Sequence, residues 1–136
     1  MGLRGWQVGF VLEYDARNNV LRGTLEGIVT DDILRDAYAV AAHCATKCGP
    51  CRGLWDMSAV TNFEVSNDVI RELAKDAPII PAGHMRIVVA TTDHQYGMMR
   101  MLQMLGETTR PDLHVVRTLD EAYRLLRLES PEFRPV

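Results

Sequence analysis

A chain of 136 residues, 47% hydrophobic and 24% charged, has the make-up of one ordinary globular domain and no room for a second. A core of this size needs neither metal nor disulfide to hold it. Lys plus Arg is 15 against 18 for Asp plus Glu, a formal net charge of -3, which argues against nucleic-acid binding by bulk positive charge and against a polybasic membrane surface.

The first residues lack the apolar centre of a signal peptide, and Trp6 stands where a myristoylation signal carries Ser or Thr. The longest apolar runs, such as residues 87–90, are too short to span a bilayer. A cytoplasmic protein without a membrane span is therefore expected. Residues 6–14 predict a strand, with Val8, Phe10 and Leu12 alternating with Gln7, Gly9 and Val11. Residues 15–19 are turn chemistry, because Asp and Asn bond their own backbone. Residues 20–26 predict a second strand with Leu21, Gly23 and Leu25 on one face, which completes a β-hairpin.

Thr30 caps a helix whose Ile33, Ala37, Tyr38, Ala41, Cys44 and Ala45 share one stripe, and Gly49-Pro50 stops it. Residues 54–57 predict a short strand, followed by a loop. Ser66 caps the next helix, with Val69, Ile70, Leu73 and Ala74 as its apolar stripe, and Pro78 and Pro81 begin a loop through Gly83. Residues 85–90 read as a strand covered on both faces. Thr92 and Gln95, then Thr118 and Glu121, have capping-box spacing and open two more helices. Residues 113–116 form the strand between them. The order β-β-α-β-α-β-α-β-α predicts an α/β fold with a mixed, mostly parallel sheet. Residues 1–128 make one domain, and 129–136, with Pro131 and Pro135, a tail that frays.

Cys44, Cys48 and Cys51 are an odd number and lie close together, unlike a secreted disulfide framework. Cys48-Gly49-Pro50-Cys51 spells the thioredoxin tetrad, but here the cysteines close a helix and precede a strand. A negative helix end raises a thiol pKa, whereas the redox motif opens a helix and lowers it. Cys44, on the apolar stripe, is expected buried, and His43 points to the polar face. A reversible Cys48–Cys51 disulfide or a bound metal stays open as an alternative, although no metal or cofactor is expected. The histidines form no constellation, and no catalytic serine elbow or phosphate-binding Gly loop is present.

Ligands of parallel sheets bind beyond the carboxyl ends of the strands. That places Asp56, Ser58, Thr91, Thr92 and Asp93 on one rim, with Tyr96 and Arg100 further along the same helix. On that helix Met98, Met99, Met101, Leu102, Met104 and Leu105 cover more than a core stripe. Met98, Met101 and Met104 are candidates for a self-association face or a lipid or small-molecule groove, with simple deep burial the equal alternative.

The run Leu54-Trp55-Asp56-Met57-Ser58-Ala59-Val60-Thr61-Asn62-Phe63-Glu64-Val65-Ser66 resembles the strand-loop-helix signature of STAS domains, the family of the SpoIIAA anti-sigma-factor antagonists. The element order is also similar to that family's. Residues 92–101 are similar to the later helix of its SpoIIAA-like (STAS/SEC14) subgroup. The resemblance covers nearly the whole chain. It implies a SpoIIAA-like fold and a partner-binding segment that includes Asp56, Ser58, Thr61, Glu64 and Ser66. In classical family members a partner kinase phosphorylates a serine directly after the second acidic residue. Here Glu64 matches that acidic position and Val65 the serine position, so Ser66 is the phospho-acceptor candidate, one residue late. The expectation is a non-enzymatic regulatory module with a protein partner, through residues 60–70, and with homodimer formation. The alternatives are a SEC14-like carrier of a lipid or small apolar ligand, and a thiol redox or metal protein using Cys48 and Cys51.

Overall fold

Phe10 and Leu12 enter the core from β2 (Phe10–Asp15), and Leu21, Gly23 and Leu25 from β3 (Val20–Thr30), as the period-two pattern predicts. The two strands pair antiparallel from Phe10 opposite Leu25 to Asp15 opposite Val20. Asp15 builds the connecting turn: its carboxylate accepts from the N–H groups of Arg17 and Asn18 and from Asn18 Nδ2. The computed structural model describes residues 6, 7, 9–76, 78–80, 83–108 and 111–136. Val8 and Pro81 lie outside the described residues. The strand expected over 6–14 is broken. β1 (Trp6–Gln7) folds back antiparallel on β2, next to Gly9 at φ 87°.

The remaining elements are α1 (Asp31–Cys48), β4 (Arg52–Glu64), α2 (Asn67–Lys75), β5 (Arg86–Val89), α3 (Asp93–Leu105), β6 (Leu113–Val116), α4 (Leu119–Leu126) and β7 (Arg134–Pro135). The sheet runs β1 to β6 in chain order, and β7 pairs with β2. β3, β4, β5 and β6 are mutually parallel, while β1, β2 and β7 supply an antiparallel side. The fold is therefore α/β with a mixed sheet and four helices. Leu34, Ala37, Ala41 and Cys44 of α1 share a core with Val69, Ile70 and Leu73 of α2 and Met98, Met99 and Leu102 of α3. On the other face Ala122 and Leu126 of α4 cover Val20, Leu54, Ile87, Val89 and Val116.

Each helix starts where the hydroxyl residue predicts. Thr30, Ser66, Thr92 and Thr118 accept through their side chains from the N–H of Ile33, Val69, Gln95 and Glu121. Gly49 at φ 75° closes α1 by donating its N–H to the Ala45 carbonyl, a conformation that side-chain-bearing residues disfavour.

Two expectations are corrected. The loop expected after Met57 is strand. β3 also runs on to Thr30, and the two strands continue their parallel ladder from Glu26 opposite Ala59 to Thr30 opposite Glu64. Two register shifts bend this stretch, so Met57, Val60 and Phe63 still reach the core while the residues between them are exposed. β5 pairs only with Gly53 to Asp56, so the β3–β4 ladder projects past the rest of the sheet. The tail is also held rather than frayed. β7 pairs with Glu13 and Tyr14, Glu129 and Asn18 exchange two hydrogen bonds, and Phe133 packs against the α4-side core beneath the Arg22 guanidinium.

Candidate functional site

The carboxyl ends of β5 and β6, with the middle of β4 beside them, bring together part of the expected rim. Asp56, 7% exposed at the level where β4 pairs with Val89, accepts from both the N–H (2.9 Å) and the hydroxyl (2.7 Å) of Ser58. The Ser58 hydroxyl is thus turned toward its own strand's carboxylate, an Asx-type arrangement that fixes the bend of β4. Beyond β5, Thr91 donates its N–H and hydroxyl to Gln95 Oε1, so the glutamine of the capping box reaches one residue further back than the box predicts. Gln95 is 2% exposed. Asp93 pairs with Arg117 Nη2 at 2.8 Å, and the same guanidinium lies 4.9 Å from the Tyr96 ring centre. Arg117 also donates to the Thr91 carbonyl. Thr91, Asp93, Tyr96 and Arg117 therefore form one polar cluster beside Thr92, which caps α3.

Other candidates sit apart from this cluster. Arg100 is exposed and bonds Gln103 on its own helix. Thr61 and Glu64 are exposed on the projecting end of β4, and Glu64 accepts from Asn62 Nδ2. His94 donates through Nε2 to the Phe63 carbonyl at 3.1 Å and meets the Phe63 ring edge-on, which ties the projecting ladder to the start of α3.

Ser66 is fully engaged as a cap. Its hydroxyl accepts from Val69, and its N–H donates to Asp31 Oδ1 at 2.7 Å. That N–H holds the Asp31 carboxyl below the ordinary carboxylate range, with a smaller contribution from Arg35. A phosphate on Ser66 would face this carboxylate.

The methionine stripe is divided between core and surface. Met98 and Met99 are buried in the core and Met101 is half-buried against it, because α3 packs on both the sheet and α2. Met104 and Leu105, 68% and 51% exposed, are the apolar residues that α3 leaves in water.

Cys44 and Cys51 are buried and Cys48 half-buried, all three as free thiols. Burial is the leading cause that pushes each thiol's pKa up, and for Cys48 the neighbouring Cys51 and Cys44 add to it. Cys48 ends α1 and Cys51 precedes β4, the reverse of the strand-to-helix order that activates a thiol. Among the described residues no group of three or more His, Cys, Asp and Glu side chains is placed to hold a metal ion. Among them also, no helix is long and apolar enough to cross a membrane.

The sequence reading missed three participants. Arg117 follows β6 as Thr91 follows β5, so its place at a strand end was a usable signal. Gln95 was marked as a cap residue only. The third is a concavity at the opposite end of the strands, between α1 and the sheet. Leu12, Leu21, Trp55, Ile80, Arg86 and Leu113 are among its walls. Glycines inside β3 and β4 were its sequence signal, since a strand glycine marks a close approach. No protein-family model matches the chain, and neither the curated proteins nor the solved structures give a match.

Proposed function

We propose that the chain is a non-enzymatic regulatory and protein-interaction module of STAS-like (SpoIIAA-like) architecture, working without the family's phospho-serine switch. The architecture agrees with three observations: a strand order that follows the chain, parallel β3 to β6, and α1 to α3 on one face with α4 on the other.

The observation that carries the reading is the projecting β3–β4 ladder. It presents Thr61, Asn62, Glu64 and Ile28, the last 55% exposed, beside the first turn of α2. An isoleucine left in water on a two-strand projection suits a partner contact with an apolar centre and a polar rim. The engaged state of Ser66 and the facing Asp31 carboxylate support a contact that does not depend on phosphate.

A photo-crosslinking residue placed at Asn62, with Leu125 on α4 as the comparison position, tests this in the cells that express the protein. A discrete protein adduct from position 62 and none from position 125 is the expected result. An adduct at twice the chain's own mass would make the partner a second copy. Equal adducts at both positions, or none at 62, would overturn the reading.

A further inference from the structure

Along the projecting ladder, buried and exposed residues alternate in matched pairs. Val29 and Phe63 lie opposite each other and both turn into the core. Their neighbours Ile28 and Asn62, also opposite each other, therefore turn to the other face of the ribbon. Thr30 opposite Glu64, and Glu26 opposite Ala59, fall on that face too. Five of these six residues are exposed and Thr30 is half-buried. Lower on β3 the same face is covered. Val20 is buried in the core that α4 shares, and Arg22 donates to the hydroxyl of Tyr123 on α4. Beyond that cover the ribbon carries a bare two-strand face, with Ile28 as its one large apolar side chain.

Charge is spread unevenly around this face. Residues 23–34 and 53–70 hold six carboxylates, Glu26, Asp31, Asp32, Asp56, Glu64 and Asp68, and neither Lys nor Arg. Four of the six are engaged within the fold. Asp31 takes the Ser66 N–H and Asp56 takes Ser58, while Asp32 pairs with Arg35 and Asp68 with Arg71. Glu26 and Glu64 pair with no cation among the described residues, and Glu64 accepts from the neutral amide of Asn62. These two carboxylates flank Ile28 on the bare face. One precedes it on β3 and the other follows it diagonally on β4, four steps of the ladder apart or roughly 13 Å. Carboxylates without local cations draw positive charge to a surface and repel polyanions.

We infer that the partner received by this ladder is a basic protein segment, which sets an aliphatic or aromatic side chain on Ile28 and reaches Glu26 and Glu64 with Lys or Arg on either side of it. This rests on the interaction-module reading and names the chemistry of its partner.

The full chain with the photo-crosslinking residue at Asn62, in the cells that express the protein, tests the inference. The linked peptide, read by mass spectrometry, should hold an apolar residue with Lys or Arg within about five positions on each side. Glu26→Gln combined with Glu64→Gln changes two exposed side chains without changing their shape, and should lower the adduct yield about fivefold or more. Glu107→Gln combined with Asp120→Asn removes the same charge from exposed positions elsewhere and should leave the yield unchanged. In lysate, raising the salt from about 50 to about 500 mM should weaken the adduct of the unaltered chain. A linked peptide without Lys or Arg, or equal yields from the unaltered chain and the double glutamine variant, would overturn the inference and leave the interaction-module reading standing. An adduct that salt does not weaken would do the same, even if the double variant does not fold. No adduct from position 62 would remove both. The linked peptide decides in the same way if it comes from a second copy of the chain.

Discussion

The indole of Trp55 occupies the space in which Gly23 would carry a side chain, 2.2 Å from the position of a Cβ. Gly23→Ala therefore forces the ring off the strand and breaks its stack on Tyr38. We expect a loss of about 1–3 kcal/mol, the usual cost of overpacking a filled site. Urea unfolding measures the loss, and a weakened near-UV signal from Trp55 accompanies it. Unchanged stability would show that the indole has another resting place.

Ser66→Ala removes the cap of α2 and should cost about 1 kcal/mol. Ser66→Asp keeps a capping carboxylate but sets it against Asp31, which already takes the Ser66 N–H. We expect Ser66→Asp to be less stable than the parent, and the double variant with Asp31→Asn to recover part of the loss. A double-mutant cycle in urea reads the coupling. Additive effects would mean that the two carboxylates do not face each other.

Asp31 and Glu72 give the fold an acid limit. The Ser66 N–H lowers the Asp31 pKa, and the Arg35 guanidinium lowers that of Glu72. Both folded values lie below the unfolded ones, which are about 3.9 for Asp and 4.3 for Glu. Each group thus contributes stability above its unfolded pKa and loses it as pH falls through the folded pKa. The unfolding temperature should hold from neutral pH to about 5 and decline below about 4. Asp31→Asn should flatten part of that decline. Salt should weaken the Arg35–Glu72 share, because that pair is exposed.

Burial raises the pKa of Cys44, Cys48 and Cys51 alike, and Cys48 is the least buried of the three. A thiol reagent at neutral pH should label native protein at Cys48 alone, more slowly than it labels a free small thiol. The rate should climb as pH rises, since the thiolate is the reacting form. Cys48→Ser should abolish native labelling. Rapid oxidation to a Cys48–Cys51 disulfide under mild conditions would contradict this picture of quiet, buried sulfur.

Phe133 lies under the Arg22 guanidinium, 3.9 Å from cation to ring centre, and covers the α4-side core. Phe133→Ala should lower stability by about 1–3 kcal/mol and raise amide exchange in residues 129–136, with the rest of the fold intact. No change in exchange would restore the frayed tail that the prolines suggest.

Much of this architecture was legible because local chemistry repeats at every helix start. Thr30, Ser66, Thr92 and Thr118 announce their helices by the same mechanism, an oxygen offered to a free N–H, which needs no distant partner. The length of β4 was not legible. Ser58, Thr61 and Asn62 belong to turns by composition, and only the equally long β3 alongside supplies the backbone partners that make them strand. The rim was read as a row of strand ends, which recovers Asp56 with Ser58 and Asp93 with Tyr96. Arg117, which ties Asp93 to Tyr96, lies 24 residues beyond Asp93, and no periodicity links the two. The cavity was hidden for the same reason: Gly23, Gly53 and Ile80 mean little singly and define a space only once β3, β4 and the α2–β5 connection lie together.

β1 and β7 share one side of β2. The first covers Phe10 and Val11, and the second covers Glu13 and Tyr14. Together they seal that margin of the sheet against strand exchange with another molecule, and they do so with two segments too short to act as templates themselves. The opposite margin, Leu113–Val116, has no such cover from a further strand among the described residues. Growth of the sheet by docking of a foreign strand is thereby given a direction: it can proceed outward from the Leu113 side and is blocked along β2.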